Sequence, residues 1–338
     1  MKKFGSLRLF LLLVLVLVLS ALPQIALYFG GRNLTKERLF GKEAEINGVL
    51  VVYNIDTFEG GSCGKSAILE NVCKRFEESN KGVFVLVKNV TVDEFLTSET
   101  KPDVVSFGSG IFDEICDYVQ SADFDVKMFE NVAKSVECEG KIAALPWCLG
   151  AYFLFATEES LSRANMPYDN LFDCCMNASF ERKSGKRTKR VYSLEMGSSK
   201  YHSAKFALEK VVEFEEQAVD ENWSKQSYYD AYQKFACGAS TFLLGTQRDV
   251  ARFENKLNQG AISAYYSEML QFSDLVQYCA PIKTDDATKF GLSKQFCEFL
   301  LSDFVQKKVV GFGMLPVVSV DDEDLNKKVE KLEIKKIF

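Results

Sequence analysis

The feature that most constrains this chain is an alternation of short apolar runs with an amphipathic helical pattern. Gly48-Val-Leu-Val-Val-Tyr-Asn-Ile55 reads as a buried strand. The polar loop from Asp56 to Gly64 leads into a helix from Lys65 to Ser79. Its apolar residues Ile68, Leu69, Val72, Cys73 and Phe76 share one face, and Asn80-Lys-Gly82 stops it. Val83-Phe-Val-Leu-Val87 is a second strand. Strand, helix, strand with a connection of this length predicts the start of a parallel sheet.

The pattern continues to the end of the chain. Thr91-Val-Asp-Glu94 is a capping box opening a short helix. A third strand covers 101–107 and runs into Gly108-Ser-Gly110. Residues 141–145 and 151–156 read as strands separated by Pro146-Trp147-Cys-Leu-Gly150. Further strands are predicted at 191–195, 240–244, 262–266 and 275–280. Helices are predicted at about 203–217, 227–237, 246–257 and 293–310. Asp321-Asp-Glu-Asp324 reads as a solvated acidic run, with the first turn of a terminal helix as the other reading. Two α/β units joined by an extended crossing near residue 150 is the architecture this order implies.

Length agrees, since 338 residues at roughly 100–200 per domain make two lobes natural. With 41 Lys and Arg against 47 Asp and Glu, the net charge is −6, which argues against a nucleic-acid partner. A single histidine, His202, excludes most zinc sites and imidazole-based hydrolase arrangements, and it reads as an ordinary surface or partly buried residue. Residues 1–30 look like a signal peptide or membrane anchor. Lys2, Lys3 and Arg8 precede an apolar run from Leu9 to Phe29, which as a helix would reach about 31 Å. Residues 31–47 read as a polar linker, and everything beyond is expected outside the membrane. Ten cysteines follow without a Cys-x-x-Cys pair or metal-ligand spacing, and buried free thiols are the simpler reading, with disulfides the alternative.

Three local features invite chemistry. Gly60-Gly-Ser-Cys-Gly64-Lys65-Ser66 follows a strand and opens a helix as a P-loop does, but Glu59 stands where the first glycine is required, so a loop lining a polar cleft is the better reading. Six cations fall within Arg182–Arg190, read as a solvated loop between a helix and a strand. Trp147 is either a core aromatic or a ring facing a cleft at the crossing.

Five stretches then carry a resemblance. They are Leu50–Ile55 with Phe58-Glu-Gly, Lys101-Pro-Asp-Val-Val-Ser-Phe-Gly108, and Ala144-Leu-Pro-Trp-Cys-Leu-Gly-Ala-Tyr152. The others are Ala239–Asp249 and Phe299–Gln306 with Gly313-Met-Leu-Pro316. In order and spacing the chain resembles the bacterial extracellular solute-binding proteins of ABC importers, sugar-type family 1. That resemblance implies a two-lobed periplasmic-binding-protein-like α/β fold, each lobe a sheet flanked by helices and joined by hinge crossings. It places 48–148 and 262–308 in lobe 1, and 149–261 and 309–338 in lobe 2. It also implies a small polar ligand such as a sugar, permease subunits as partners, no cofactor and no catalysis. The implied first wall is Thr57, Phe58, Glu59, Phe107, Gly108 and Ser109, with Trp147 and Tyr152 near the crossing. The implied second wall is Met196, Gly197, Ser198, Gly245, Thr246 and Gln247. A sensory or adhesion module without a transporter is the alternative. A nucleotide-binding enzyme is the remote one, resting on the Gly60–Ser66 loop. No Mg²⁺-dependent ATP affinity is expected in a direct titration, and measurable affinity lost on substituting Lys65 would revive the enzyme reading.

Overall fold

The computed structural model describes residues 48–337 apart from 139–140, 143, 167–169, 178–179, 185–186, 192 and 213–224. The apolar run, the polar linker and the end of the helix expected at 203–217 lie outside the described residues. Among the described residues no helix is long and apolar enough to cross a membrane. By its contacts the chain divides into two units. One is residues 1–48 with Asn80–Val83, where the Gly48 N–H reaches the Gly82 carbonyl at 3.4 Å. The other, Val49–Ser79 with Phe84–Phe338, carries what is described below apart from Gly48 and Val83, the first residues of two strands.

Nine strands build two sheets: β1 (Gly48–Ile55), β2 (Val83–Asn89), β3 (Val104–Gly108), β4 (Leu145–Leu149), β5 (Tyr152–Thr157), β6 (Leu194–Met196), β7 (Phe242–Thr246), β8 (Tyr265–Met269) and β9 (Val276–Pro281). The first sheet has the order β2-β1-β3-β9-β4 and the second β6-β7-β5-β8. β1 and β3 are parallel, Val52 opposite Val104, whereas β9 runs antiparallel to both β3 and β4. In the second sheet β6 and β7 are parallel, and β5 is antiparallel to β7 and β8.

Six longer helices matter here: α1 (Lys65–Ser79), α2 (Tyr228–Ala236), α3 (Gln247–Asn258), α4 (Ala287–Phe299), α5 (Asp303–Gly311) and α6 (Glu323–Glu330). The α1 stripe is buried as its spacing predicts, and Phe76 meets Phe296 of α4 edge to face at 5.1 Å. In the second lobe Phe253 of α3 packs among Phe155, Tyr232 and Phe235. The Thr91–Glu94 capping box forms, and Asp322 caps α6.

The lobes are joined by two neighbouring crossings. β4 passes through Gly150-Ala151 into β5, and the chain returns from β8 to β9 through residues 270–275. Gly150 N–H donates to the Leu275 carbonyl at 2.6 Å, and Ser273 Oγ donates to the Gly150 carbonyl at 2.8 Å. A side chain at Gly150 would collide with Leu275 Cβ at 2.8 Å and with the Gln247 amide, so this approach requires glycine.

Several expectations are corrected. Pro146–Leu149 does not separate two strands; it belongs to β4, an edge strand, where proline is tolerated beside the bulge opposite Gln277 and Tyr278. The helix expected over 293–310 is two helices, broken at Leu300–Ser302. β8, expected in the first lobe, pairs with β5 of the second. The carboxyl-terminal segment, expected in the second lobe, fastens to the first-lobe helix Glu130–Val136 and to the crossing. Asn131 Nδ2 donates to the Val329 and Leu332 carbonyls at 2.7 and 2.8 Å, and 333–334 pairs with 272–273. The basic run falls in a two-stranded hairpin, Phe180–Ser184 with Arg187–Val191.

One buried side chain ties three segments together. Gln306 of α5 donates to the carbonyls of Trp147 and Leu300 at 2.9 and 2.7 Å, and its oxygen accepts from Val317 N–H at 2.9 Å. Gln306→Leu strands three backbone groups in the core and is expected to lower unfolding free energy by about 3–4 kcal/mol, read as a fall in the urea midpoint. An unchanged midpoint would show the tie to be incidental.

Candidate functional site

Loops at the carboxyl ends of β1, β3, β6 and β7 converge where the lobes meet, the usual place for a ligand in open α/β sheets. On the first lobe a polar ladder runs beneath them. Ser106 Oγ donates to Asn54 Oδ1 at 3.0 Å, Gln277 Nε2 reaches both Ser106 Oγ at 3.0 Å and Asn54 Oδ1 at 3.2 Å, and Trp147 Nε1 donates to Ser106 Oγ at 3.2 Å. Asn54 Nδ2 extends the ladder to Asp56 Oδ1 at 3.1 Å, where the crevice loop begins.

That loop is shaped by Lys65. Its side chain is 0% exposed, yet its Nζ donates to the Phe58 carbonyl at 2.6 Å, pairs with Asp56 Oδ1 at 3.2 Å and sits 3.8 Å over the Phe58 ring. The lysine of the P-loop-like motif therefore points into its own loop, and its donors are engaged there.

The second lobe grips the same loop. Gln247, first residue of α3, donates from Nε2 to the Glu59 carbonyl at 2.6 Å and accepts from Ala151 N–H at 3.0 Å. Arg248 Nη1 donates to the Gly61 and Ser62 carbonyls at 2.7 and 2.8 Å. Arg252 spans Glu59 at 3.0 Å and Asp249 at 2.6 Å. Burial pushes the Asp249 carboxyl above its ordinary value, with Arg252 pulling the other way.

The unexpected member is His202, which is not a surface residue but 4% exposed at the centre of the seam. Thr57 Oγ1 donates to the Ser109 carbonyl at 2.9 Å and lies 3.1 Å from His202 Nε2. His202 Nδ1 is buried 3.4 Å from Asp274 Oδ2 without forming a hydrogen bond, while Phe58 meets the imidazole edge to face at 5.7 Å. Asp274 also accepts from Tyr152 Oη at 2.7 Å, and Tyr228 Oη donates to Tyr152 Oη at 3.5 Å. Burial raises both phenols well above their usual range, so both remain donors.

Beside this lattice lies a cavity of about 450 Å³ walled by both lobes: Asp56–Gly60, Cys63 and Gly64 from the first, Ser199, Tyr228 and Arg248 from the second. The volume falls within the usual range for small-ligand sites. Its walls offer carboxylates, hydroxyls and a guanidinium, and Glu59 Oε2 is buried with no partner among the described residues. That set suits a ligand bearing several hydroxyls. Among the described residues no cluster of His, Cys, Asp or Glu could hold a metal ion.

The expected residues sort unevenly. Thr57, Phe58 and Glu59 line the cavity. Gln247 bridges the lobes; Tyr152 and Ser109 hold Asp274, Ser109 Oγ donating to its carbonyl. Gly108 lets Thr57 approach, since a Cβ there would overlap Thr57 Oγ1. Thr246 caps α3, and Gly245 lies against Asp249. Gly197 abuts the Tyr228 backbone, and Ser198 N–H donates to the Gln226 carbonyl at 2.8 Å. Phe107, Trp147 and Met196 are fully buried, Phe107 against Tyr278, so Trp147 is a core aromatic and not a ring on the cleft.

No family model and no curated protein sequence matches the chain. Among solved structures it is similar to the sugar-binding protein MalE from the phytopathogen Xanthomonas citri, with a TM-score of 0.59 and 15% identity over 85% of this chain and 87% of that one. The chain has the two-lobed periplasmic-binding-protein fold. A second neighbour is the GacH receptor of Streptomyces glaucescens, solved unliganded and with acarbose (TM-score 0.55, 15% identity, 86% and 89% covered). Thiaminase I from Bacillus thiaminolyticus is also similar (TM-score 0.54, 12% identity, 86% and 95% covered).

If Lys65 holds the loop, Lys65→Met keeps the stem but leaves the Phe58 carbonyl without its donor and Asp56 without its cation, with only Asn54 Nδ2 still donating to it. It is expected to cost about 2–3 kcal/mol, discounted because Asp56 is partly exposed. Gln247→Ala is expected to cost about 1–3 kcal/mol. Thermal unfolding of both variants checks this, and unchanged melting temperatures would remove these contacts from the account.

Proposed function

We propose that this chain is an extracytoplasmic solute-binding protein that captures a small polar ligand, a sugar, between two hinged lobes and delivers it to the permease subunits of an ABC importer. In this reading residues 1–30 serve as signal peptide or membrane anchor and the protein carries out no catalysis of its own. The observation that carries the proposal is the cavity beside the seam, whose wall is shared by both lobes and whose opposing loops are held by side chains rather than by a packed apolar core. The sugar-binding neighbour supports the ligand class, and Glu59, Tyr228, Ser199 and Arg248 on the cavity wall are side chains of the kinds that accept from and donate to a polyol.

Hinge opening admits the ligand, and closure hides it and forms a surface shared by both lobes for the transporter to read. The ligand acts by binding the closed arrangement more tightly than the open one.

A thermal-shift panel of mono- and oligosaccharides, polyols and oligopeptides tests the proposal. A true ligand at one hundred times its Kd adds about 2.7 kcal/mol, expected as a rise of about 5 °C. Glu59→Gln and Arg248→Ala are expected to reduce that rise by more than half. Saturable stabilisation by a sugar that is recovered chemically intact supports the reading. A panel without any shift, or a solute consumed during incubation, sinks it.

A further inference from the structure

Cys279 stands in β9, the strand that pairs with both β3 and β4, where it lies opposite Ser106 and Leu145. Cys297 stands on the buried stripe of α4 with Ser293 and Phe296. Both thiols are fully buried, and their Sγ atoms lie 3.4 Å apart, 18 residues apart along the chain. As thiols they make one weak S–H···S contact.

We propose that Cys279 and Cys297 form a structural disulfide that closes this loop and pins α4 to the middle of the first-lobe sheet. Closing to a bonded distance of about 2 Å moves the two sulfurs together by only about 1.4 Å, which small side-chain rotations supply. The bond forms by thiol–disulfide exchange with a disulfide oxidant such as oxidised glutathione. One cysteine thiolate attacks the oxidant's S–S bond and releases one thiol; the second cysteine then displaces the other. Two cysteines are oxidised, the oxidant leaves as two thiols, and the cysteine protons pass to the departing thiolates. Burial, then the Cys279 contact, pushes the Cys297 thiol far above its usual range, so exchange belongs to folding, before α4 covers β9. The inference rests on the export half of the functional reading, because disulfides persist outside the cytoplasm, and not on the identity of the ligand.

The test is to unfold the purified full chain, refold it with oxidised and reduced glutathione, denature it without reductant and alkylate it with iodoacetamide. A linked peptide containing Cys279 and Cys297 is expected, both blocked only after reduction. Reductant is expected to lower the melting temperature of the wild type by about 5 °C, an effect absent in Cys297→Ser and retained in the exposed-site variant Cys237→Ser. Alkylation of both cysteines without reduction, or linkage of either to a third cysteine, overturns the proposal. Should Cys297→Ser not fold, peptide mapping of the wild type decides alone. Because it needs no solute, its outcome is independent of the thermal-shift panel.

Discussion

The geometry of the seam depends on one buried ammonium. Removing Lys65 from water carries a desolvation cost of several kcal/mol, which is recovered only because the Phe58 carbonyl, the Asp56 carboxylate and the Phe58 ring face its Nζ together. Those three partners lie in the loop that follows β1, so satisfying the cation folds the loop back on itself. The contacts across the seam follow from that shape. The carbonyls of Glu59, Gly61 and Ser62 turn toward α3, and Thr57 is presented to His202. The resemblance to a phosphate-binding loop is thus explained without phosphate: glycines allow the bend, and the lysine stabilises it from inside.

Between the lobes the balance is deliberately modest. Gln247, Arg248, Arg252 and the Thr57–His202 pair each contribute on the order of 0.5–1.5 kcal/mol net. Together they amount to a few kcal/mol, within reach of the roughly 5.5 kcal/mol of differential affinity that reverses a lopsided two-state population. A continuous apolar interface of the same extent would hold the lobes shut. The two crossings are bonded to each other through Gly150 and Leu275, so they form one connection beside the polar contacts.

Much of the fold was legible because burial leaves a period in the sequence. Though the acidic run at 321–324 pointed to a helix start without singling out Asp322 as its cap, the α1 stripe and the Thr91 capping box were both visible as spacing. The break between α4 and α5 was not, because the stripe of Phe296, Phe299, Leu300, Phe304 and Val305 continues through it; Ser302 preceding Asp303 was the available signal. Pro146 misled because a proline reads as a breaker until the strand is known to lie at an edge. The site was less legible. Phe107 and Met196 sit at or near strand ends and Trp147 at the middle of an edge strand buried on both faces, where alternation cannot say which way a side chain points. His202 lies in a polar loop without periodicity, and its partner Thr57 is 145 residues away. Only its rarity marked it.

That rarity has a use. A chain with one imidazole, lodged where the halves of the molecule touch, carries a built-in spectroscopic address. The ring of His202 gives the chain's one pair of imidazole carbon-bound proton signals, with no second histidine to confuse their assignment. Any change in the contact between the halves alters the shielding that Phe58 imposes on that ring, so its resonances report on the seam.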